Sequence, residues 1–400
     1  EGVAKSCDST AMKCIRNGLP GAGPQSDEDV NKALQSCLVN DSLGAIQDLL
    51  RLGSNITSLT TRKHEIPYSC GEMMDVVEAI QGRVGDAIEL CDACPLPVSN
   101  GVAVSLMVET AGEVIVLARD SLEQACMRVA SADGPLEALA GSLPLQALLL
   151  AARIRFAKAA DALVAGASSP EELATAAAGA LAATEALLEQ QEDTQSRKAL
   201  ALAALATVLR EQREMVGVLA ASDGSAAESW ATELRLYLVE DDEGQPRFEA
   251  RCAGCTLPVA FQFDPRLPLP ASDSLKRCRR AVAQAFNFDA PPAAGPRPLL
   301  VSDRPGGGKG DLVCDVCATL NIVPVVLDGA LLTVGDTFWH RASVAARSAG
   351  GALPLLLVRE ATRASRSALD AAAAACRERG VGLCLAFDPD VKGDYQIEWC

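Results

Sequence analysis

The sequence predicts a multidomain fold in which a mostly α-helical bundle with small β-hairpins precedes an α/β module with a parallel sheet. Three observations predict it. Long runs in the first half repeat apolar residues at helical spacing, the middle has a turn between two β-rich runs, and the last part alternates apolar runs with helix-like runs around a glycine-rich turn. The chain has 400 residues, enough for two or three domains, and we place the boundaries at 1–225, 226–271 and 272–400.

The first region, residues 1–225, carries most of the helix signals. The acidic run at residues 26–29 predicts a helix through Leu38, and a second helix is expected over residues 40–52. β-branched residues interleave with polar ones in two places, which predicts short strands over residues 58–69 and 98–108. Longer helices are predicted over residues 113–130, 135–166, 170–189 and 194–221. Alanine is frequent from residue 151 to residue 221, but the leucine spacing favours packed helices over low complexity.

The second and third regions change to shorter elements. The turn at residues 241–244 predicts a hairpin between residues 234–240 and 248–252, and the proline-rich residues 265–270 form a connection. Beyond residue 272 a helix is expected over residues 312–320. Buried strands are predicted over residues 299–301, 323–327, 355–358 and 382–387. This order is typical of an α/β nucleotide-binding module with a parallel sheet.

The glycine-rich turn at residues 303–310 has the form of a phosphate-binding loop with altered residues. Such loops use glycines so that backbone N–H groups surround phosphates, a lysine for the β/γ-phosphates and a Ser/Thr hydroxyl for Mg²⁺. Here Asp303 stands at the first glycine and Gly310 at the hydroxyl position. The candidate phosphate-binding residues are Gly306, Gly307, Gly308 and Lys309. An ordinary glycine-rich turn is the alternative.

Charge and cysteine usage limit the partners. The net charge of −16 argues against a nucleic-acid or anionic-membrane surface, and no apolar run is long enough for a membrane span. Three Cys-x-x-Cys pairs occur among 15 cysteines, at Cys91/Cys94, Cys252/Cys255 and Cys314/Cys317. Their separations are too irregular to predict a metal site, although Cys252/Cys255 leaves that alternative open. We expect reduced thiols in the cytoplasm, with Cys314 and Cys317 in a core, and structural or surface roles for His64 and His340.

Several short motifs occur in the order in which one known family carries them. Pro144-Leu145-Gln146 is followed by an apolar run to Phe156, and Trp230 precedes a Glu-Leu-Arg-Leu-Tyr run. The remaining motifs are Ser26-Asp27-Glu28-Asp29, Arg266-Leu267, Arg277-Cys278 and Gln284-Ala285. Together they resemble a dynein heavy chain, from the C-terminal half of the linker into the large subdomain of the first AAA+ module. The resemblance implies a linker-like region over 1–225, a linker exit over 226–271 and an AAA+ large subdomain over 272–400.

The departures from that family concern its catalytic positions. Residues 358–363 resemble the family's Walker B segment. Arg359 then stands where the family has the carboxylate that orients Mg²⁺, and Glu360 remains only a weak candidate for the general base. Asp388 stands where the family has its sensor Asn. The resemblance therefore implies a degenerate module that could retain ATP or ADP through Lys309 without normal Mg²⁺ coordination. Without metal clamping and charge stabilisation, hydrolysis should be absent or very slow.

The resulting expectation is a catalytically degenerate dynein-heavy-chain-like subunit with a structural or regulatory role in a ciliary or microtubule assembly. The resemblance implies a location in the cytoplasm and cytoskeleton, in the axoneme of a cilium or flagellum. The implied partners are other dynein or ciliary complex subunits and microtubule-associated proteins, and no nucleic acid or membrane. One alternative is a working dynein motor whose other AAA+ modules hydrolyse ATP. A second is an unrelated P-loop protein with a helical adaptor.

Overall fold

The computed structural model describes most of the chain between residues 32 and 387. The described residues are 32–33, 35, 42–65, 73–82, 84–97, 104–132, 134–221, 226–241, 243–257, 259–285, 299–302, 308–322, 324–332, 355–379 and 381–387. They form a mixed α/β structure that is mostly helical, with two small antiparallel sheets and one parallel sheet. None of the helices described is long and apolar enough to cross a membrane.

A helix and a three-stranded sheet open the described chain. Helix α1, Ser42–Gly53, confirms the helix predicted over residues 40–52. Strand β1, Ile56–Glu65, confirms the described part of the strand predicted over residues 58–69. It pairs antiparallel with β2, Met73–Gly82, which in turn pairs with β3, Ala87–Pro95. The sheet packs through its apolar face on the following helix, because Val77 and Ile80 are buried in the same core as that helix.

The strand predicted over residues 98–108 is wrong where the structure describes it. Helix α2, Val104–Ala130, already includes residues 104–108. The side chains that it buries include Met107, Ala111, Val114 and Ala118, at intervals of three to four residues. The β-branched residues at its start therefore belong to a 3.6-residue repeat that continues into the predicted helix.

Three long helices complete the bundle. The single helix predicted over residues 135–166 is wrong, since a 3₁₀ turn at Leu136–Leu139 is separated from helix α3, Leu145–Val164. Pro144 lies between them with an extended backbone, because its ring cannot continue a preceding helix. The other two helices match the predicted spans: α4, Pro170–Glu189, begins with a capping box at Ser169, and α5 covers Arg197–Ala221.

A second antiparallel sheet follows the bundle. After the short helix α6, Ala226–Ala231, strands β4, Arg235–Glu240, and β5, Pro246–Cys252, form the predicted hairpin. A third strand, β6, Cys255–Leu257, was not predicted. The described segment from residue 259 to residue 272, which includes the proline-rich connection, has no helix or strand, yet its Phe263 and Asp264 are buried.

The last region contains the parallel sheet. Helix α7, Asp273–Ala285, precedes strand β7, Leu299–Ser302, and helix α8, Lys309–Thr319, follows the glycine-rich turn. The remaining elements are β8, Val325–Asp328, β9, Leu355–Arg359, α9, Arg366–Arg379, and β10, Gly382–Phe387. The strands lie in the order β7-β10-β9-β8 and all pairs are parallel. All four predicted strands are thus present.

The bundle and the parallel-sheet region share one hydrophobic core. Ile154 of α3, Leu275 of α7, Val316 of α8 and Leu357 of β9 belong to the same buried cluster. The backbone of the connection also pairs with the end of α8, because the Ala260 amide donates to the Leu320 carbonyl at 2.9 Å. The helical region is therefore packed directly on the α/β region at this point.

Candidate functional site

The described part of the glycine-rich turn is its exit into α8. Gly308 precedes the helix with φ +71°, a left-handed conformation that glycine adopts without strain. Lys309 begins the helix, and the Leu312 amide donates to the Gly308 carbonyl at 3.0 Å. Gly306 and Gly307, like Asp303, lie outside the described residues. The two described candidates, Gly308 and Lys309, therefore lie at the N-terminus of the helix that the sequence predicted over residues 312–320, which begins at Lys309.

Arg359 lies against the start of α8. A Cβ added at Gly310 would be 3.0 Å from Arg359 Nε and 3.4 Å from Cζ. Carboxyl ends of parallel strands meet at one edge of a sheet, and β7 and β9 flank β10 at a separation of about 10 Å, which brings the end of β9 to the first turn of α8. The two positions that the sequence assigned to the metal side of the turn are thus in contact.

Glu360 is the other candidate at this edge. Its backbone is left-handed, with φ 48° and ψ 46°, and it precedes a 3₁₀ turn at Ala361–Arg363. Its carboxylate pairs with Arg363 at 2.8 Å, and both side chains are exposed. An exposed pair of this kind contributes little to stability. The carboxylate that the sequence proposed as a general base therefore lies in an exposed ion pair.

The described residues at this edge, Gly310 and Arg359, do not fit a magnesium ion. Mg²⁺ requires oxygen ligands from carboxylates, hydroxyls, water and phosphates. Gly310 offers no side-chain oxygen, and the guanidinium of Arg359 brings a fixed positive charge to the same position. An anionic phosphate fits better, because the α8 N-terminus, Lys309 and Arg359 all contribute positive potential. Asp311 in the first turn of α8 opposes it.

A hydrogen-bonded junction joins the bundle to the parallel-sheet region. Buried Gln146 at the start of α3 donates from Nε2 to the Gln262 carbonyl at 2.9 Å and to Asn321 Oδ1 at 3.1 Å. Its Oε1 accepts from the Asp264 amide at 2.9 Å. Asp264 also accepts from Asn55 at 2.6 Å and from Arg266 at 2.6 Å. One glutamine and one aspartate therefore tie together segments that are far apart in the sequence.

Buried charges lie next to this junction. Arg279 of α7 donates through both terminal nitrogens to Glu211 of α5, with Nη2 3.3 Å from Oε2, and its Nη2 is 4.0 Å from Asp315 of α8. Burial opposes ionisation of Glu211, yet Arg279 and then Arg153 lower the pKa of its carboxyl below the ordinary value. Burial raises the pKa of Asp315. Arg153 of α3 lies beside this group, and burial followed by the charge of Arg279 lowers its pKa.

Trp230 anchors the second antiparallel sheet on the bundle. Its indole Nε1 donates to Asp161 of α3 at 2.5 Å, and its ring packs edge-on against Phe156 at 5.8 Å. Arg235 lies 5.8 Å over the same indole ring. Tyr237 donates to the same aspartate at 3.4 Å. The motif residues Phe156, Trp230 and Tyr237 therefore all take part in the contact between the second antiparallel sheet and α3.

The other single-residue predictions concern cysteine and histidine. Cys314 and Cys317 are buried on α8, which confirms them as core thiols. Cys252 and Cys255 face each other across β5 and β6, and no group of three or more His, Cys, Asp or Glu side chains in the described ranges could hold a metal ion. His64 is exposed and lies 2.9 Å from Glu78, which fits a surface role. His340 falls outside the described residues.

The sequence analysis did not predict the group of buried charges around Arg279 and Glu211. Its one signal was Arg153, a charged residue inside the apolar run that begins α3. Such a residue needs a partner when it is buried. The sequence could not show which residues surround Arg153, because the members of the group are far apart in the chain. Arg279 and Glu211, for example, are separated by 68 positions.

Comparison with known proteins gives no assignment: no family matches the chain, and no curated protein matches it.

Proposed function

We propose that this chain is a catalytically degenerate dynein-heavy-chain-like subunit, in which residues 272–400 form an AAA+-type large subdomain that serves as a structural element. The observation that carries the proposal is the contact between Arg359 and Gly310. In a P-loop enzyme these positions supply the oxygen ligands of Mg²⁺, whereas here a guanidinium and a bare backbone face each other. At these two positions the described part of the module therefore lacks the oxygen ligands that would hold a Mg²⁺-bound nucleotide.

The junction supports a scaffold over the motor alternative. A motor that moves the helical region against the module at this point would have to open the shared core and break the bonds of Gln146 and the Arg279–Glu211 pair. Buried polar groups that lose their partners cost about 1–3 kcal/mol each, more when charged. A contact of this kind favours a fixed arrangement.

The proposed setting is a ciliary or microtubule assembly, with other dynein or axonemal subunits and microtubule-associated proteins as partners. It rests on the motifs around the junction. Gln146, Phe156 and Trp230 belong to motifs that resemble the dynein linker and its exit, and Arg266 and Cys278 belong to motifs that resemble the elements leading into the P-loop. Gln146 and Arg266 are bonded at the junction, and Cys278 is buried in the shared core. Phe156 and Trp230 pack against each other where the second antiparallel sheet meets the bundle.

The test of the role is assembly in ciliated cells. We expect the tagged full-length protein to enter the axoneme, and Lys309→Ala to enter it to the same extent, because a structural module needs no nucleotide turnover. Gln146→Ala, which opens the junction, should reduce incorporation several-fold. A protein that stays outside the axoneme would contradict the setting, and loss of incorporation in Lys309→Ala alone would contradict the structural role.

A further inference from the structure

A mainly apolar pocket lies in the helical bundle, between the 3₁₀ turn at Leu136–Leu139 and helices α3, α4 and α5. Its volume is about 370 Å³, which is within the usual range of small-molecule sites. The spaces between the helices of bundles are one of the places where such sites occur. The walls include Ala152, Ala177, Ala180, Leu205 and Leu209.

The pocket is open because small side chains meet where helices usually interdigitate. Helix α4 is held on the bundle by its buried Leu173 and Leu181, and the residues between them that line the pocket are alanines. Well-packed interiors contain few voids larger than a water molecule. A space of this size therefore has room for a molecule that the described side chains do not supply.

The charged groups in the described wall do not suit a charged ligand. Arg155 already donates from Nη1 to the Gly134 carbonyl and from Nη2 to the Ala132 carbonyl, each at 2.5 Å. Its guanidinium thus holds the segment that follows α2. Glu137, which also lines the pocket, is partly exposed and keeps its contact with water. A charged ligand would lose hydration without gaining a partner of opposite charge, so an uncharged one fits this wall better.

One neutral polar group in the wall is left incompletely bonded. Gln212 of α5 is 8% exposed, and its Nε2 donates to the Ala152 carbonyl of α3 at 3.1 Å. Its Oε1 accepts no hydrogen bond from the described residues. Buried polar atoms normally have a partner. An O–H or N–H group on a molecule in the pocket would supply one.

We propose that this pocket binds a small uncharged aromatic molecule with one hydrogen-bond donor. The ring lies against Phe156, Leu205 and Leu209, and the donor meets Gln212 Oε1. Apolar cavities stay dry and bind apolar molecules in place of water. At ~30 Å³ for each water in the liquid, the space corresponds to about a dozen waters, so the ligand has on the order of ten non-hydrogen atoms. Because α3, α4 and α5 all form walls, the bound molecule holds α4 on the bundle.

Titration calorimetry on the full chain with indole tests the site. N-methylindole, which lacks the donor, and indoleacetate, which adds a negative charge, are the comparisons. We expect indole to bind about two- to tenfold more tightly than N-methylindole, as one hydrogen bond provides. It should bind at least about tenfold more tightly than indoleacetate, whose charge would be buried without a partner.

Two variants test the location. Ala177→Leu places a larger side chain in the pocket and should weaken indole binding at least about tenfold, without loss of stability, because the added atoms occupy open space. Ala178→Leu, the same change at the exposed neighbouring position on α4, is the matched control and should bind as the wild type does. Gln212→Met should remove the preference for indole over N-methylindole.

Four results would overturn the proposal. Absence of indole binding to the wild type at millimolar concentration would show that the pocket takes no such ligand, whether or not the variants fold. Equal affinity for indoleacetate would show that charge is not excluded, and equal affinity for N-methylindole that no donor is recognised. Unchanged binding by Ala177→Leu would place the ligand elsewhere. Circular dichroism melts of each variant without ligand separate loss of the site from loss of the fold.

Discussion

Glu211→Gln is expected to lower the free energy of unfolding by about 3 kcal/mol, because it leaves Arg279 as a buried cation without its carboxylate. The side chain of Arg279 is 7% exposed and that of Glu211 17%, so solvent can compensate little of the loss. Chemical denaturation of the two proteins measures the difference. Glu214→Gln on the exposed side of the same helix is the control and should change stability by less than about 0.5 kcal/mol.

The effect of Glu211→Gln should depend on pH with a definite sign. The pKa of Glu211 is lowered in the folded protein from its ordinary 4.5, so its contribution is complete above that value and is lost as pH falls through the folded pKa. The gap in stability between wild type and variant should therefore narrow on acidification. Asp315 shifts in the opposite direction, but it is present in both proteins. A gap below about 1 kcal/mol at neutral pH would contradict the buried pair.

Gly329→Ala is expected to destabilise the protein by about 2–3 kcal/mol through overpacking. A Cβ at this position would lie 2.3 Å from the Glu360 carbonyl oxygen and 3.0 Å from its carbon. The obstacle is backbone, so the segment that carries Arg359 and Glu360 would have to move. The variant should thus disturb the α8 edge as well as stability.

Gly179→Ala provides the comparison for this glycine. Gly179 is exposed on α4, and nothing lies within 4 Å of the added Cβ. Alanine there should raise stability by about 0.5–1 kcal/mol, because it reduces the entropy of the unfolded chain and favours the helix. If denaturation gave the same small change for both glycines, the close approach of Gly329 to Glu360 would be incorrect.

Local sequence signals predicted much of the α/β region and little of the contacts between regions. The strands at residues 299–302 and 382–387 are short apolar runs with clear ends, so their type could be read directly. Val104–Val108 was misread because β-branched residues suit both strands and buried helix starts. Strands β2 and β3 escaped prediction because they are defined by pairing with β1, which is not a local property.

The candidate sites also differ in how far local sequence signals could predict them. The resemblance aligned Gly310 and Arg359 separately with metal-side positions, and the structure shows that these two residues are in contact. The group of buried charges around Arg153 depends on side chains from four separate elements, α3, α5, α7 and α8. An arginine in an apolar helix indicates that a buried partner is needed. Which residue is that partner depends on how α3, α5 and α7 pack, and local sequence does not show this.

The central claim is that the module does not use a Mg²⁺-bound nucleotide, and nucleotide binding to the full-length protein tests it most directly. ATP and ADP would be titrated with and without Mg²⁺ into the wild type, Lys309→Ala, and a Gly310→Thr/Arg359→Asp double variant that restores both metal-side groups. We predict that any wild-type binding is weak and unchanged by Mg²⁺, without turnover, and that Mg²⁺ strengthens binding only in the double variant. Mg²⁺-dependent binding and turnover in the wild type, lost in Lys309→Ala, would contradict the claim.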